Sequence, residues 1–194
     1  MRIHITGGSG SGTTTLGRKL AEQLGFAHFD GDDYYWQATS PPYRAKRDPG
    51  DRLSAILTDL RGVQNAVVSG SAVGWGEELE DGFDFIVFLY LPAPTRVQRL
   101  RTREIERFGA VDPAFLEWAA QYDEGPLEGR SLAKHNAWLA ARCCPVIRLE
   151  EDLSVDDRIR LVLEAMSNLS VNSDAQKRLT AARPTLSGRR LLQR

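Results

Sequence analysis

Short apolar runs alternate along the chain with stretches in which apolar residues recur every three or four positions, the pattern of strand–helix units repeated around a parallel sheet. The runs at residues 2–6, 27–29, 66–69, 85–91 and 145–149 predict five strands. Leu16, Leu20 and Leu24 fall on one face of a helix predicted over residues 13–24, and Gly25 is placed to end it. Asp48-Pro49 and Asp112-Pro113 each set a capping carboxylate before a proline at the first helical position, so helices are expected from there towards Leu60 and Trp118. Ser154, with Asp157 three residues on, resembles a capping box, and Ile159, Val162, Leu163 and Met166 form the stripe of a last helix. Two stretches break the alternation. Residues 32–48, rich in aromatic, proline and basic side chains, predict a small lobe over a binding site, and residues 109–131 predict a second.

Composition narrows the picture. A chain of 194 residues, 42% hydrophobic and 26% charged, suits a single globular core. The net charge of -1 argues against a protein built to neutralise nucleic-acid phosphates, so any polyanion site is local and no nucleic-acid partner is expected. The longest apolar run, residues 85–91, is strand-sized, far short of the roughly 20 residues a membrane span needs. Met1 to Thr6 lead straight into glycines rather than into the apolar core of a signal peptide, which makes the cytoplasm the expected location. Cys143 and Cys144 are adjacent, cannot close a useful loop, and are expected as reduced packing residues. Residues 1–170 are expected to form one domain. Residues 171–194 carry Lys177, Arg178, Arg183, Arg189, Arg190 and Arg194 against Asp174 alone, and read as a peripheral basic tail or as a docking segment for an acidic partner or nucleic acid.

The strongest local signal is Gly7-Gly8-Ser9-Gly10-Ser11-Gly12-Thr13-Thr14-Thr15, placed directly after the first strand and at the opening of the first helix. Glycines let the backbone turn sharply and approach a phosphate closely, and the helix N-terminus behind them adds free N–H groups and a partial positive charge. In the pattern G-x-x-x-x-G-K-S/T, Gly7 and Gly12 take the glycine positions and Thr14 the hydroxyl that binds magnesium. Thr13 stands where the lysine belongs. Backbone binding of phosphate survives that change, but the point charge that spans the outer phosphates must come from elsewhere.

The second strand leads into Asp30-Gly31-Asp32-Asp33, at the sheet edge where ligands of open parallel sheets bind. Asp30 is the candidate for magnesium and Asp32 for orienting or deprotonating an attacking hydroxyl, with Asp33 beside them; the plainer reading is an acidic turn capped by its own side chains. Arg44 and Arg47 are candidates for an acceptor's phosphate or carboxylate, and Trp75, in a glycine-rich turn after the third strand, for its wall. Arg99 and Arg103 lie four residues apart on one helix face that also holds Arg96, and are candidates to deliver charge to the transferring group.

These residues resemble the P-loop kinases of the nucleoside monophosphate kinase and shikimate kinase group. The similarity rests on the glycine loop, on Arg99-Leu100-Arg101-Thr102-Arg103 as the Arg-Leu-x-x-Arg pattern of a mobile lid, and on Asp30 and Asp32 as an Asp-x-Asp like that of shikimate and gluconate kinases. Asp32 to Tyr35 also resembles the acidic-aromatic cluster of uridine-kinase-like proteins. The resemblance implies an α/β P-loop NTPase three-layer sandwich with parallel strands in the order 2-3-1-4-5, an acceptor lobe near residues 32–48 and a lid within residues 103–130. It further implies ATP bound by Gly7, Gly8, Gly10, Ser11, Gly12, Thr13, Thr14 and Thr15, with Mg2+ as cofactor, and contacts of Arg99 and Arg103 with the transferred group. A run of Asp-Gly-Phe-Pro-Arg, as in adenylate kinases, is absent, and Ser69-Gly70-Ser71 takes its place. The leading expectation is therefore phosphoryl transfer from ATP to a small-molecule acceptor by a monomer or homodimer. A nucleoside monophosphate kinase proper is the second reading, and a non-catalytic nucleotide sensor the third.

Overall fold

The structure is a computed structural model that describes residues 1–40, 42–126 and 129–181. The five predicted runs form β1 (Arg2–Gly7), β2 (Ala27–Asp30), β3 (Ala66–Ser69), β4 (Phe85–Leu89) and β5 (Val146–Leu149). They build one parallel sheet in the order β2-β3-β1-β4-β5, as expected. The described residues also form α1 (Thr13–Leu24), α2 (Gly31–Tyr35), α3 (Pro49–Arg61), α4 (Glu77–Glu80), α5 (Ala93–Phe108), α6 (Pro113–Ala120), α7 (Leu132–Ala140) and α8 (Val155–Ala181).

Side chains alternate across the strands and so divide the core in two. Ile3, Ile5, Val67, Phe85, Val87 and Leu89 face α1 and α8, where they meet Leu16, Leu20, Ile159 and Val162. Ala66, Val68, Ile86 and Phe88 face the other way, against Ile56, Leu57 and Leu60 of α3 and Trp138 and Leu139 of α7. Burial on both faces is why β4 reads as an unbroken apolar run. Each such side chain contributes about 1.5–3 kcal/mol relative to exposure. The stop and start signals act as anticipated. Gly25 ends α1 in the left-handed conformation at φ 66°, and Asp48 and Asp112 accept hydrogen bonds from the first backbone amides of α3 and α6. Ser154 Oγ accepts from Asp157 N at 3.1 Å.

Three departures matter for the site. The stretch 32–48 is not all loop: Asp30 accepts a hydrogen bond from Asp32 N at 3.1 Å and starts α2, and an antiparallel bridge between Trp36 and Lys46 folds the rest back. Helix α7, absent from the sequence reading, closes one face of the sheet, and Ser131 at its start accepts from Lys134 N. Helix α8 runs on to Ala181, so the first part of the expected tail continues a helix, and residues 182–194 lie outside the described residues. No helix among the described residues is long and apolar enough to cross a membrane.

Two polar side chains of β1 enter the α7 face. His4 is fully buried, its Nδ1 donates to Val68 O at 3.1 Å, and its ring stacks on Phe83. Thr6 lies 3.5 Å from His135 Nε2, whose other ring nitrogen meets the Tyr122 hydroxyl. Burial lowers the pKa of His4 to about 4 and that of His135 to about 3, so both are neutral in the native state. An unfolded histidine takes up its proton near pH 6.5, so the unfolded chain binds more protons below that value and native stability falls as pH drops towards 4. Urea unfolding is expected to lose about 1–3 kcal/mol per pH unit between roughly pH 6 and 4, and less in His4→Phe. A flat profile over that range would contradict the assignment.

Candidate active site

The loop after β1 has little freedom. A Cβ at Gly7 would stand 2.3 Å from Leu89 O, and one at Gly10, where φ is 87°, would stand 2.6 Å from Arg96 O. Gly12, at φ 97°, occupies the cap of α1 without a side-chain hydrogen bond, and the first turn of that helix carries no acidic residue. The amides and partial positive charge at this end are therefore left for an anion. Thr13, Thr14 and Thr15 follow in the first turn, with Thr13 and Thr14 partly buried and Thr15 exposed.

Three guanidinium groups hold this loop through alternate carbonyls. Arg130 donates to Gly7 O at 3.0 Å, Arg96 to Ser9 O at 3.2 Å and Arg158 to Ser11 O at 2.8 Å. With these carbonyls engaged and Ser11 N donating to Gly8 O at 3.1 Å, the loop backbone is fixed as a turn ahead of α1. Arg96 is fully buried and saturated: it also donates to Leu91 O and Ala119 O, pairs with Asp123 at 2.9 Å, and lies over the Tyr122 ring. Tyr122 in turn covers Gly8, where a Cβ would meet its ring at 3.0 Å. The base of the predicted lid thus rests on the loop.

Facing the loop across the strand ends is the acidic turn. Asp30 Oδ1 is occupied in capping α2, so the plainer reading of this residue is realised, while its second oxygen accepts no hydrogen bond from the described residues. Asp32 stays open to solvent on one side, yet the protein around it and the neighbouring Asp30 raise its pKa, against the opposing pull of Arg130 and Arg103. Asp33 is exposed.

The other sequence candidates divide. Arg44 is exposed, whereas Arg47 is committed to Tyr34 O at 3.1 Å. Trp75 is buried rather than presented, 7% exposed, and lies beside Tyr35 at 6.3 Å between ring centroids. Arg52 lies over both rings, 5.0 Å from Tyr35 and 4.8 Å from Trp75, and its buried Nε has no hydrogen-bond partner. Arg99 and Arg103 do not reach the loop. Arg99 is held by Asp152 and Arg103 by Glu104, although the charge of Arg103 is felt at Asp32.

Sequence reasoning passed over Arg52, Arg130 and Arg158, and placed Arg96 on a face with Arg99 and Arg103. A common signal was present. Arg52, Arg96 and Arg158 each precede by four residues a fully buried apolar side chain, Ile56, Leu100 and Val162. A charge on the core row of an amphipathic helix points inwards and must find polar partners there. Arg130 carries no such mark, since it precedes a helix that the pattern did not disclose.

Comparison with known proteins agrees with this geometry. A family described as "AAA domain" matches residues 3–110. The uncharacterized protein YqaC of Bacillus subtilis (strain 168) is 39% identical over 176 residues, covering 86% of this chain and 97% of the relative. Among solved structures, a gluconokinase from Sinorhizobium meliloti 1021 superposes with a TM-score of 0.58 at 20% identity, over 90% of this chain and 96% of the other. A shikimate kinase from Acinetobacter baumannii in complex with shikimate gives 0.55 at 18% identity, over 86% and 93%. At these identities the two kinases share the fold.

Replacing Arg96 by Met is expected to cost about 3 kcal/mol or more, because Asp123 loses its charge partner and three carbonyls lose a donor. Thermal unfolding reads this directly. Arg96→Lys should recover less than half the loss, a single ammonium being unable to span the same acceptors; a melting temperature unchanged in Arg96→Met would contradict the bracing role.

Proposed function

The chain belongs to the AAA-domain family, with the fold of the nucleoside monophosphate kinase and shikimate kinase group, and from that premise we propose that it is an ATP-dependent kinase acting on a small hydroxylated acceptor that carries an anionic group. One observation carries the reading. The phosphate loop and Asp32 face each other across the carboxyl ends of the strands, with the Arg130 guanidinium on Gly7 O and its charge acting on Asp32.

In this reading the amides of the loop and of the first turn of α1, apart from that of Ser11, hold the donor phosphates, and Asp32, with its raised pKa, orients the acceptor hydroxyl and takes its proton as the phosphoryl group is transferred. Arg52, stacked on Tyr35 and Trp75 and lacking a partner at Nε, supports a carboxylate or phosphate on the acceptor, and Arg44 at the lobe surface adds positive charge on its approach. Arg99 and Arg103 reach the donor only by exchanging their present carboxylate partners, a change that lid movement would bring.

Magnesium fits the residues present. Among the described residues no group of three His, Cys, Asp or Glu side chains forms a metal cage, which suits an ion that binds largely through phosphates and water. Thr14 and the second oxygen of Asp30 would hold it, and it would offset phosphate charge. A nucleotide sensor is the reading that Thr13 favours, since a phosphate loop without its lysine binds more readily than it turns over.

ADP release measured against a panel of hydroxylated carboxylates and nucleoside monophosphates separates the two. Acceptor-dependent release that falls by about 10²-fold or more in Asp32→Asn is expected of the kinase. In Arg52→Met the acceptor KM should rise about 10-fold, with the ATP KM little changed. Tight ATP binding with no acceptor-dependent release across the panel would favour the sensor and end the kinase reading.

A further inference from the structure

The phosphate loop lacks its lysine, and the geometry points to Arg130 as the cation that replaces it at the outermost phosphate. This rests on the reading of the loop as an ATP site. The argument is one of position and of unsatisfied capacity. A cation for the terminal phosphate must lie beside the loop, on the side facing the acceptor carboxylate, and must have donors to spare.

The other candidates fail one of these conditions. Arg96 has every nitrogen engaged and its charge neutralised by Asp123. Arg158, whose Nε is likewise without a partner, spends both terminal nitrogens on the carbonyls of Ser11 and Glu151 and fails on position, since the charges around it are Arg99 and Asp152 rather than the acidic turn. Arg99 and Arg103 are ion-paired, and Lys19 is paired with Glu22 one turn down α1.

Arg130 meets the conditions. Its one hydrogen bond, to Gly7 O, fixes it at the first residue of the loop. Its Nε is shielded from solvent and has no partner, and no carboxylate among the described residues lies within ion-pair distance. The charge that acts on it most strongly is that of Asp32, the residue assigned to the acceptor hydroxyl. A guanidinium desolvated in this way, with several donors unused, is short of an anion. A phosphoryl group passing from the loop towards Asp32 supplies one. The substitution at position 13 thus moves the positive charge from the start of α1 to the segment before α7, where it meets the outer phosphate alone.

Binding of ATP and ADP to the full chain, each with Mg2+, tests this without knowledge of the acceptor. Wild-type protein is expected to prefer ATP. Arg130→Met should lower ATP affinity by about 10- to 100-fold and ADP affinity, which feels only the lost brace at Gly7, by clearly less, the remaining ADP binding also reporting that the variant is folded. Arg130→Lys, which keeps the charge, should retain part of the preference. Adding Thr13→Lys to Arg130→Met should restore it, because the second charge then returns by the pattern's usual route. Undiminished ATP preference in Arg130→Met, or an equal loss for ATP and ADP, would overturn the assignment. Absence of nucleotide binding by the wild-type chain would instead remove the ATP-site reading itself.

Discussion

The carbonyls of Gly7, Ser9 and Ser11 are each held by an arginine from a different part of the chain, and the form of the site follows from that restraint. A loop of glycines and serines has much conformational entropy to lose on ordering, about 1–2 kcal/mol per residue. In a phosphate loop with its lysine, part of that ordering and part of the charge come from one side chain. Here the ordering is supplied from outside the loop by α5, by the segment before α7 and by α8.

The same contacts tie the loop to the elements that surround it. Arg96 reaches Ala119 at the end of α6 and Asp123 just beyond, and Tyr122 between them covers Gly8 and bonds to His135 beneath the sheet edge. The segment from α5 to α6 is therefore tied to the loop, while Arg99 and Arg103 sit in surface ion pairs with Asp152 and Glu104. On the acceptor side, Glu80 performs a comparable service. Its buried carboxylate accepts from the amides of Trp75 and Gly76 and from the Trp138 indole, which fixes the ring on which Arg52 rests. Binding groups on rigid supports require little reorganisation when substrate arrives.

Much of this was legible in the chain. The strands, α1 with its glycine cap, the starts of α3 and α6 at Asp-Pro, and the capping box of α8 followed from periodicity and caps, because those signals are local, whereas the strand order came with the family resemblance that the glycine loop carries. What escaped was set by tertiary contact. Helices α2 and α4 are one turn long, and α7 carries His135 on its buried face, which breaks the apolar stripe. Within the site, the loop and the acidic turn were found through their motifs and place after the strands, whereas Trp75 and Arg47, read as acceptor contacts, are a buried ring and a donor to Tyr34 O. The bracing arginines were hidden because a charged residue in a helical pattern is ordinarily read as surface; only its place four residues before a core position tells otherwise.

The central claim is that a phosphate loop without lysine is kept in its anion-binding form by three arginines on its carbonyls, and that one of them, Arg130, also meets the outermost phosphate on the side of Asp32. A crystal structure of the full chain with a non-hydrolysable ATP analogue and Mg2+ tests it most directly. The account predicts the triphosphate over the amides of the loop and of the first turn of α1, the loop backbone unchanged with its carbonyls still on Arg96, Arg130 and Arg158, and the terminal phosphate between Arg130 and Asp32. A triphosphate bound elsewhere, or a loop that releases these arginines and rebuilds itself around the ligand, would contradict it.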